Sequence, residues 1–245
     1  MPKNDVPRLI TVLQTGDPVA EVAQTRGRFS ELIVETVGPL WDGQWATVDV
    51  RDLDAPLPDP HASSAFVITG SSSSVTERAP WMLRVEEWIR RAHAGDAKIF
   101  GICFGHQLIG QALGGRVAKN PNGREIGKVT VTKLADDAMF STLPAQFLVH
   151  ATHVDSVVEL PAGAKLLART ALEPHAAYAI GDNVRCVQYH PEMDVDVMQK
   201  YVTARWEKIA ADGLDPAAIH AAIDHAPDNA VALTSFVKSV VRERV

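Results

Sequence analysis

The chain has 245 residues, 46% of them hydrophobic and 22% charged, enough for the core of one large domain without covalent staples. Its 24 basic against 30 acidic residues leave a net charge of −6 with no dense Lys/Arg run, which argues against nucleic acid as a partner. Two cysteines, Cys103 and Cys186, are too few for a disulfide framework, and a first apolar run confined to 9–13 predicts neither a signal peptide nor a membrane span; a cytoplasmic protein is expected.

In chain order, LITVL (9–13), ATVDVRDL (46–53), AFVITG (65–70) and KIFGIC (98–103) are short β-branched apolar runs separated by helix-length segments. That alternation predicts parallel strands with helical crossovers. Between them, 19–37 and 79–95 carry apolar residues at three- and four-residue intervals, as amphipathic helices do, the second with Gly95 as its expected cap. After a helix at 105–113 the pattern changes. GKVTVTKL (127–134), FLVHA (147–151), AKLLART (164–170), AAYAI (176–180) and VRCVQYH (184–190) follow as strands without helices between them, and 181–183 (GDN) is the expected hairpin turn. From Val195 the sequence returns to helix. The expected fold is α/β: an open, mostly parallel sheet flanked by helices, with an antiparallel section in the second half and C-terminal helices.

Cys103 stands where a strand gives way to a helix, and glycines at 101 and 105 make the pattern G-x-C-x-G. Such a junction forces a sharp elbow that pushes a side chain into the open, and the positive helix end favours thiolate over thiol. The backbone N–H of Phe104 is then the first candidate donor to an oxyanion. The competing reading is a small buried apolar residue at the end of a central strand. A base and its carboxylate are available in VQYHPEM (187–193): Pro191 is expected to hold an extended backbone, so that His190 and Glu192 project to one side.

With GICFGHQLIGQALGG (101–115), VQYHPEM (187–193), TGSSSSV (69–75) followed by PWM (80–82), and HATHVDSVVELPAG (150–163), the chain resembles class I glutamine amidotransferases, specifically stand-alone proteins similar to the amidotransferase half of GMP synthase. The resemblance covers roughly 8 to 205 and implies a flavodoxin-like fold and a Cys103-His190-Glu192 triad. It further implies a second oxyanion donor at Gly70 or Ser71, where the family's usual two glycines and a proline are replaced by Gly70-Ser71-Ser72. Gln107, one helical turn past the cysteine, is placed to reach a ligand over the thiol. Thr152, His153 and Val154 resemble the segment that receives the α-amino and α-carboxylate groups of glutamine.

A metal cluster of His150, His153 and Asp155 is set aside, because alternation on an extended segment puts His150 opposite the other two. Trp81 and Trp88 are expected to pack on the sheet, Cys186 to be an inert core thiol, and His175, His220 and His225 receive no role. No cofactor or metal is expected, and no phosphate-binding or pyrophosphatase motif is present. The expected activity is therefore the glutaminase half-reaction: hydrolysis of the glutamine side-chain amide through a γ-glutamyl thioester, with ammonia passed to an acceptor or synthetase subunit. The alternatives are a γ-glutamyl peptidase acting on dipeptides or conjugates, and a non-catalytic binding subunit. Two units are expected, the amidotransferase domain over 1–209 and a helical extension over 210–245 packed on it.

Overall fold

The computed structural model describes residues 8–242; the first seven residues of the expected domain and the last three of the extension lie outside the described residues. The first four strands, parallel to one another, are β1 (Leu9–Gln14), β2 (Gln44–Asp49), β3 (Ala65–Ile68) and β4 (Ile99–Ile102). Then come β5 (Arg116–Lys119), β6 (Glu125–Lys133), β7 (Gln146–His153), β8 (Asp155–Glu159), β9 (Ala164–Arg169), β10 (Ala177–Ile180) and β11 (Val184–Val187). Among the described residues nine strands form one sheet in the order β2-β1-β3-β4-β11-β10-β9-β6-β7, and β5 pairs with β8 in a separate ribbon. Pairing is parallel from β2 to β11 and antiparallel beyond it, as the change of pattern predicts.

Every residue of β3 and β4 is buried, as expected of strands covered on both faces. One face packs Phe100 and Ile102 against Ile33 of α2 (Phe29–Val37) and Phe236, Val237 and Val240 of α8 (Val231–Arg242). The other packs Phe66, Ile68 and Ile99 against Met82, Val85 and Trp88 of α3 (Pro80–Ala94) and Leu108 and Ile109 of α4 (Phe104–Ala112). Trp88 meets Phe66 edge-on at 4.8 Å and donates to the Pro58 carbonyl at 2.7 Å, and Trp81 lies 5.6 Å from the Phe104 ring, so these two tryptophans serve packing. A third apolar cluster joins α2 to α5 (Val195–Ala204), α6 (Trp206–Ala211) and α7 (Pro216–Ala221). No helix among the described residues is long and apolar enough to cross a membrane.

Three local expectations need correction. The helix over 19–37 is two, α1 (Ala20–Arg26) and α2. Gly27 turns at φ 86, a left-handed conformation, and the Arg28 N–H is capped by the Glu31 carboxylate at 2.5 Å. Gly95 caps α3 as expected, its N–H on the Arg91 carbonyl at 3.0 Å, and the next residue, Asp96 at φ 56, takes the left-handed position. β5 and β8 escaped the sequence reading because each is short and pairs only with the other, leaving a weak period. β11 stops at Val187, and the chain then turns.

Candidate active site

The sheet order places β3, β4 and β11 side by side and parallel, with Ile68 opposite Gly101 and Ile102 opposite Val187. Their C-terminal ends therefore deliver Gly70, Cys103 and the segment leading to His190 to one edge of the sheet. β1 ends beside β3 there, next to the point where the strand order reverses, the usual ligand crevice of such sheets. Thr15 ties the two ends together: its N–H donates to Thr69 Oγ1 at 3.0 Å and its hydroxyl to the Thr69 and Gly70 carbonyls at 2.9 and 3.0 Å.

Cys103 adopts φ 50 and ψ −100, outside the left-handed region that a non-glycine residue tolerates. Strain of this kind costs about 1–3 kcal/mol and persists only where neighbours impose it. The neighbours are glycines 101 and 105. A Cβ at Gly105 would lie 2.3 Å from the Ile68 carbonyl oxygen, and one at Gly101 would lie 2.9 Å from Gly105. The Cys103 and Gly105 amides are committed to the Val187 and Thr69 carbonyls at 2.9 and 3.1 Å. Between them the Phe104 N–H, first of α4, has no partner within the helix.

His190 is buried, stacked over Phe29 with ring centroids 6.2 Å apart, and its Nδ1 donates to Glu192 Oε1 at 2.8 Å. That bond directs the other ring nitrogen toward Cys103. The route to it is not the extended backbone expected of His190-Pro191-Glu192. Residues 190–193 form a turn closed by Met193 N–H on the His190 carbonyl at 3.2 Å, which folds the carboxylate back under the ring. A Cβ on Gly70 would press on His190 Cε1 at 2.9 Å, so the backbone after β3 is the ring's other wall.

Burial opposes ionisation of Cys103, but the charge of the adjacent His190 and a hydrogen bond to it outweigh that, and the thiol is held below its ordinary value. Burial likewise works against a charged His190; Glu192 and the Cys103 sulfur overcome it and raise the imidazole to about 10. The two shifts describe one thiolate–imidazolium pair. Cys186 makes the contrast: burial outweighs the hydrogen bond to Tyr178 and the charge of Arg185 and pushes its thiol up to about 12, which fits an inert core residue.

Two cavities meet at the sulfur. The larger, about 460 Å³, is lined by Ser71 to Ser74, Glu77, Phe104, Gln107, residues 152–155, Arg124, Arg205 and Lys208. The smaller, about 150 Å³, holds His190 with Asp17, Phe29 and Tyr201. Val19, Ser71, Ser72, Cys103, Thr152 and Arg205 border both. The serine run, low in complexity as sequence, is thus a cavity wall, fastened by Ser74 Oγ on the Asp155 carboxylate at 2.5 Å.

Thr152 and His153 end β7 rather than forming a loop, and Val154 links it to β8. Both ring nitrogens of His153 are engaged, with Glu125 Oε2 at 3.1 Å and the Asp155 carbonyl at 3.0 Å. The Gln107 amide faces the cavity while donating to the Asp155 carbonyl at 2.9 Å and to Gln188 at 3.1 Å. His150 turns the other way, to the Met193 and Asp224 carbonyls, and no three His, Cys, Asp or Glu side chains among the described residues are arranged to hold a metal ion.

Two residues of the site gave no signal in the sequence. Asn229, between α7 and α8, accepts from His150 N–H at 2.9 Å and donates to the carbonyls of His190 and Met193 at 2.8 and 2.9 Å. It clamps both ends of the turn that carries Glu192. Arg205, at the α5–α6 junction, donates to Thr152 Oγ1 at 2.5 Å and lies over the Tyr201 ring at 4.9 Å. An asparagine between helices and an arginine on a helical stretch are ordinary residues until the fold supplies their neighbours.

The sequence model of class-I glutamine amidotransferases matches residues 44–207. The chain belongs to that family. Gamma-glutamyl peptidase 4 of Arabidopsis thaliana is 35% identical over 188 residues, covering 74% of each chain. GMP synthase [glutamine-hydrolyzing] of Thermomicrobium roseum is 32% identical over 185 residues, which are 75% of this chain and 31% of that protein. A glutamine amidotransferase from Thermotoga maritima has the same fold, with a TM-score of 0.72 over 96% of this chain and 97% of that one at 20% identity. The amidotransferase resemblance read from the sequence, and the mixed sheet expected with it, thus hold.

Proposed function

We propose that the protein hydrolyses γ-glutamyl amide bonds through a covalent Cys103 thioester, with glutamine as the simplest substrate. The observation that carries this reading is a strained Cys103 paired in one buried site with His190, itself bonded to Glu192. The Cys103 thiolate attacks the γ-carbonyl carbon. The resulting oxyanion is received by the N–H of Phe104 and by that of Ser71, which, unlike Gly70, borders both cavities beside the sulfur. As the C–N bond breaks, the His190 imidazolium gives its proton to the departing nitrogen, and Glu192 holds the ring in the required tautomer. Water, deprotonated by neutral His190, then attacks the thioester. Glutamate leaves, and the thiolate–imidazolium pair is restored. The glutamyl α-amino and α-carboxylate groups are assigned to the larger cavity, against Thr152, His153, Val154 and Gln107.

Glutamate release from glutamine, with mass spectrometry of a trapped adduct on Cys103, tests the reading. Turnover that survives Cys103→Ala would end it. A second reading has its own support: the chain aligns along most of a γ-glutamyl peptidase, and the cavity beside His190 exceeds the roughly 15 Å³ of such space that one water-sized molecule such as ammonia needs. On that reading the leaving nitrogen carries a substituent. Comparing kcat/KM for glutamine and for γ-glutamyl dipeptides separates the two, since a strong preference for dipeptides excludes ammonia supply as the main role.

A further inference from the structure

The carboxylates bordering the two cavities have partners of their own. Asp17 is bound by Arg28 at 3.0 Å and Arg51 at 2.8 Å, Asp155 by Ser74, and Glu77 by the Ser74 N–H at 2.8 Å. Among the cations, Arg124 pairs with Asp212 at 2.6 Å, His153 with Glu125 at 3.1 Å, and Lys208 is exposed on the larger cavity alone. Arg205 differs from all of these. It is half-buried, and its guanidinium borders both cavities and meets a hydroxyl and an aromatic ring but, among the described residues, no carboxylate. Burial lowers the pKa of Arg205, the Cys103 sulfur only partly opposing it, so a carboxylate partner would stabilise the cation, and a planar fork of N–H donors matches a carboxylate better than any other common group.

Position decides which carboxylate. His190 borders only the smaller cavity, and its proton must reach the leaving nitrogen, so the leaving group occupies that cavity while the glutamyl group fills the larger. In a γ-glutamyl amino acid the leaving residue's carboxylate is two bonds from the scissile nitrogen, within the same small space. We propose that Arg205 is a specificity-determining residue that binds the free α-carboxylate of a single small amino acid leaving group, making γ-glutamyl dipeptides with a free C-terminus the preferred substrates. This rests on the covalent reading above and deepens it. The apolar walls, Phe29 and Tyr201, suit a small side chain, and about 150 Å³ leaves little room for a second residue.

Three substrates separate the possibilities: glutamine, γ-glutamylalanine and γ-glutamylalanine amide, the last two differing only at the carboxylate. The wild-type protein should prefer the acid to the amide. Arg205→Met should lower kcat/KM on γ-glutamylalanine roughly 10- to 100-fold more than on glutamine or on the amide, as loss of a charge-assisted pair does, and so abolish the acid-over-amide preference. Arg205→Lys, which keeps the charge without the fork, should retain part of the preference. An equal loss on all three substrates would overturn the proposal, since the arginine would then hold the shared glutamyl group or the thiolate, and a displaced acid limb of the pH profile would mark the latter. Equal wild-type rates on acid and amide would overturn it without any variant, which covers a failure of Arg205→Met to fold. Wild-type protein inert on all three substrates, and unlabelled at Cys103 by a γ-glutamyl electrophile, would instead overturn the covalent reading and this proposal with it.

Discussion

The two halves of the candidate site are built differently. The Cys103 half is made by backbone sterics: glycines 101 and 105 let the chain double back against itself and against the end of β3 so tightly that Cys103 between them is forced to φ 50. The His190 half is made by side chains from distant segments. Phe29 stacks on the ring, the Gly70 backbone walls it, and Asn229 clamps the turn beneath it. The first half is rigid because any alternative clashes. The second is ordered only while hydrogen bonds hold, and it carries the group that must gain and lose a proton.

Perturbing each half in turn should expose that difference. On the proposed mechanism the largest effect is expected from Cys103→Ala, which removes the sulfur proposed to attack without touching the elbow: a loss in kcat of roughly 10⁴–10⁶-fold with an unchanged melting temperature. Glu192→Gln acts on the other half and should lower kcat by roughly 10²–10⁴-fold, since an amide neither fixes the tautomer nor stabilises the imidazolium.

The pH profile carries the same information. In the wild type the active thiolate–imidazolium form is lost on the acid side as the thiolate takes up a proton, below the ordinary cysteine value. On the alkaline side it is lost as His190 gives up its proton near about 10. Glu192 supports the charged ring, so in Glu192→Gln the alkaline limb should move to lower pH. A limb that stays in place would show that the carboxylate does not govern that proton.

A smaller loss is expected from Asn229→Leu. Three buried backbone groups lose a partner, of which the carbonyls of His190 and Met193 keep another, in the Met193 N–H and His150 Nδ1, at a cost of about 1–3 kcal/mol in stability. A loosened His190 should also reduce kcat by roughly tenfold at temperatures where the variant is fully folded, with KM little changed. Destabilisation with full kcat would make Asn229 structural only. The least effect is expected far from the site, at the exposed Arg116–Glu159 pair joining β5 to β8: Arg116→Ala should stay within about 0.5 kcal/mol of wild type and leave both rate constants intact.

How much could be read in advance follows the same division. The G-x-C-x-G spacing located the elbow because tight turns demand glycine locally, and the all-apolar runs at 65–68 and 99–102 located the central strands because burial on both faces leaves a continuous signal. His190 and Glu192 were recognisable as a pair, yet the geometry that joins them was misread as extended, since a proline fits an extended strand and a turn equally well. Arg205 and Asn229 were invisible because neither belongs to a pattern; their roles come from what a distant part of the chain places beside them.

The sequence by itself determined the strand–elbow–helix that strains Cys103 and the change from parallel to antiparallel pairing, both consequences of short-range sterics and of the period of apolar residues. Only the tertiary structure decided that His190 faces the sulfur, that the segment after residue 210 reaches back through Asn229 to hold it, and that a cation without a carboxylate borders both cavities. Those depend on which faces pack together, and side-chain hydrogen bonds between remote segments leave no periodic trace along the chain.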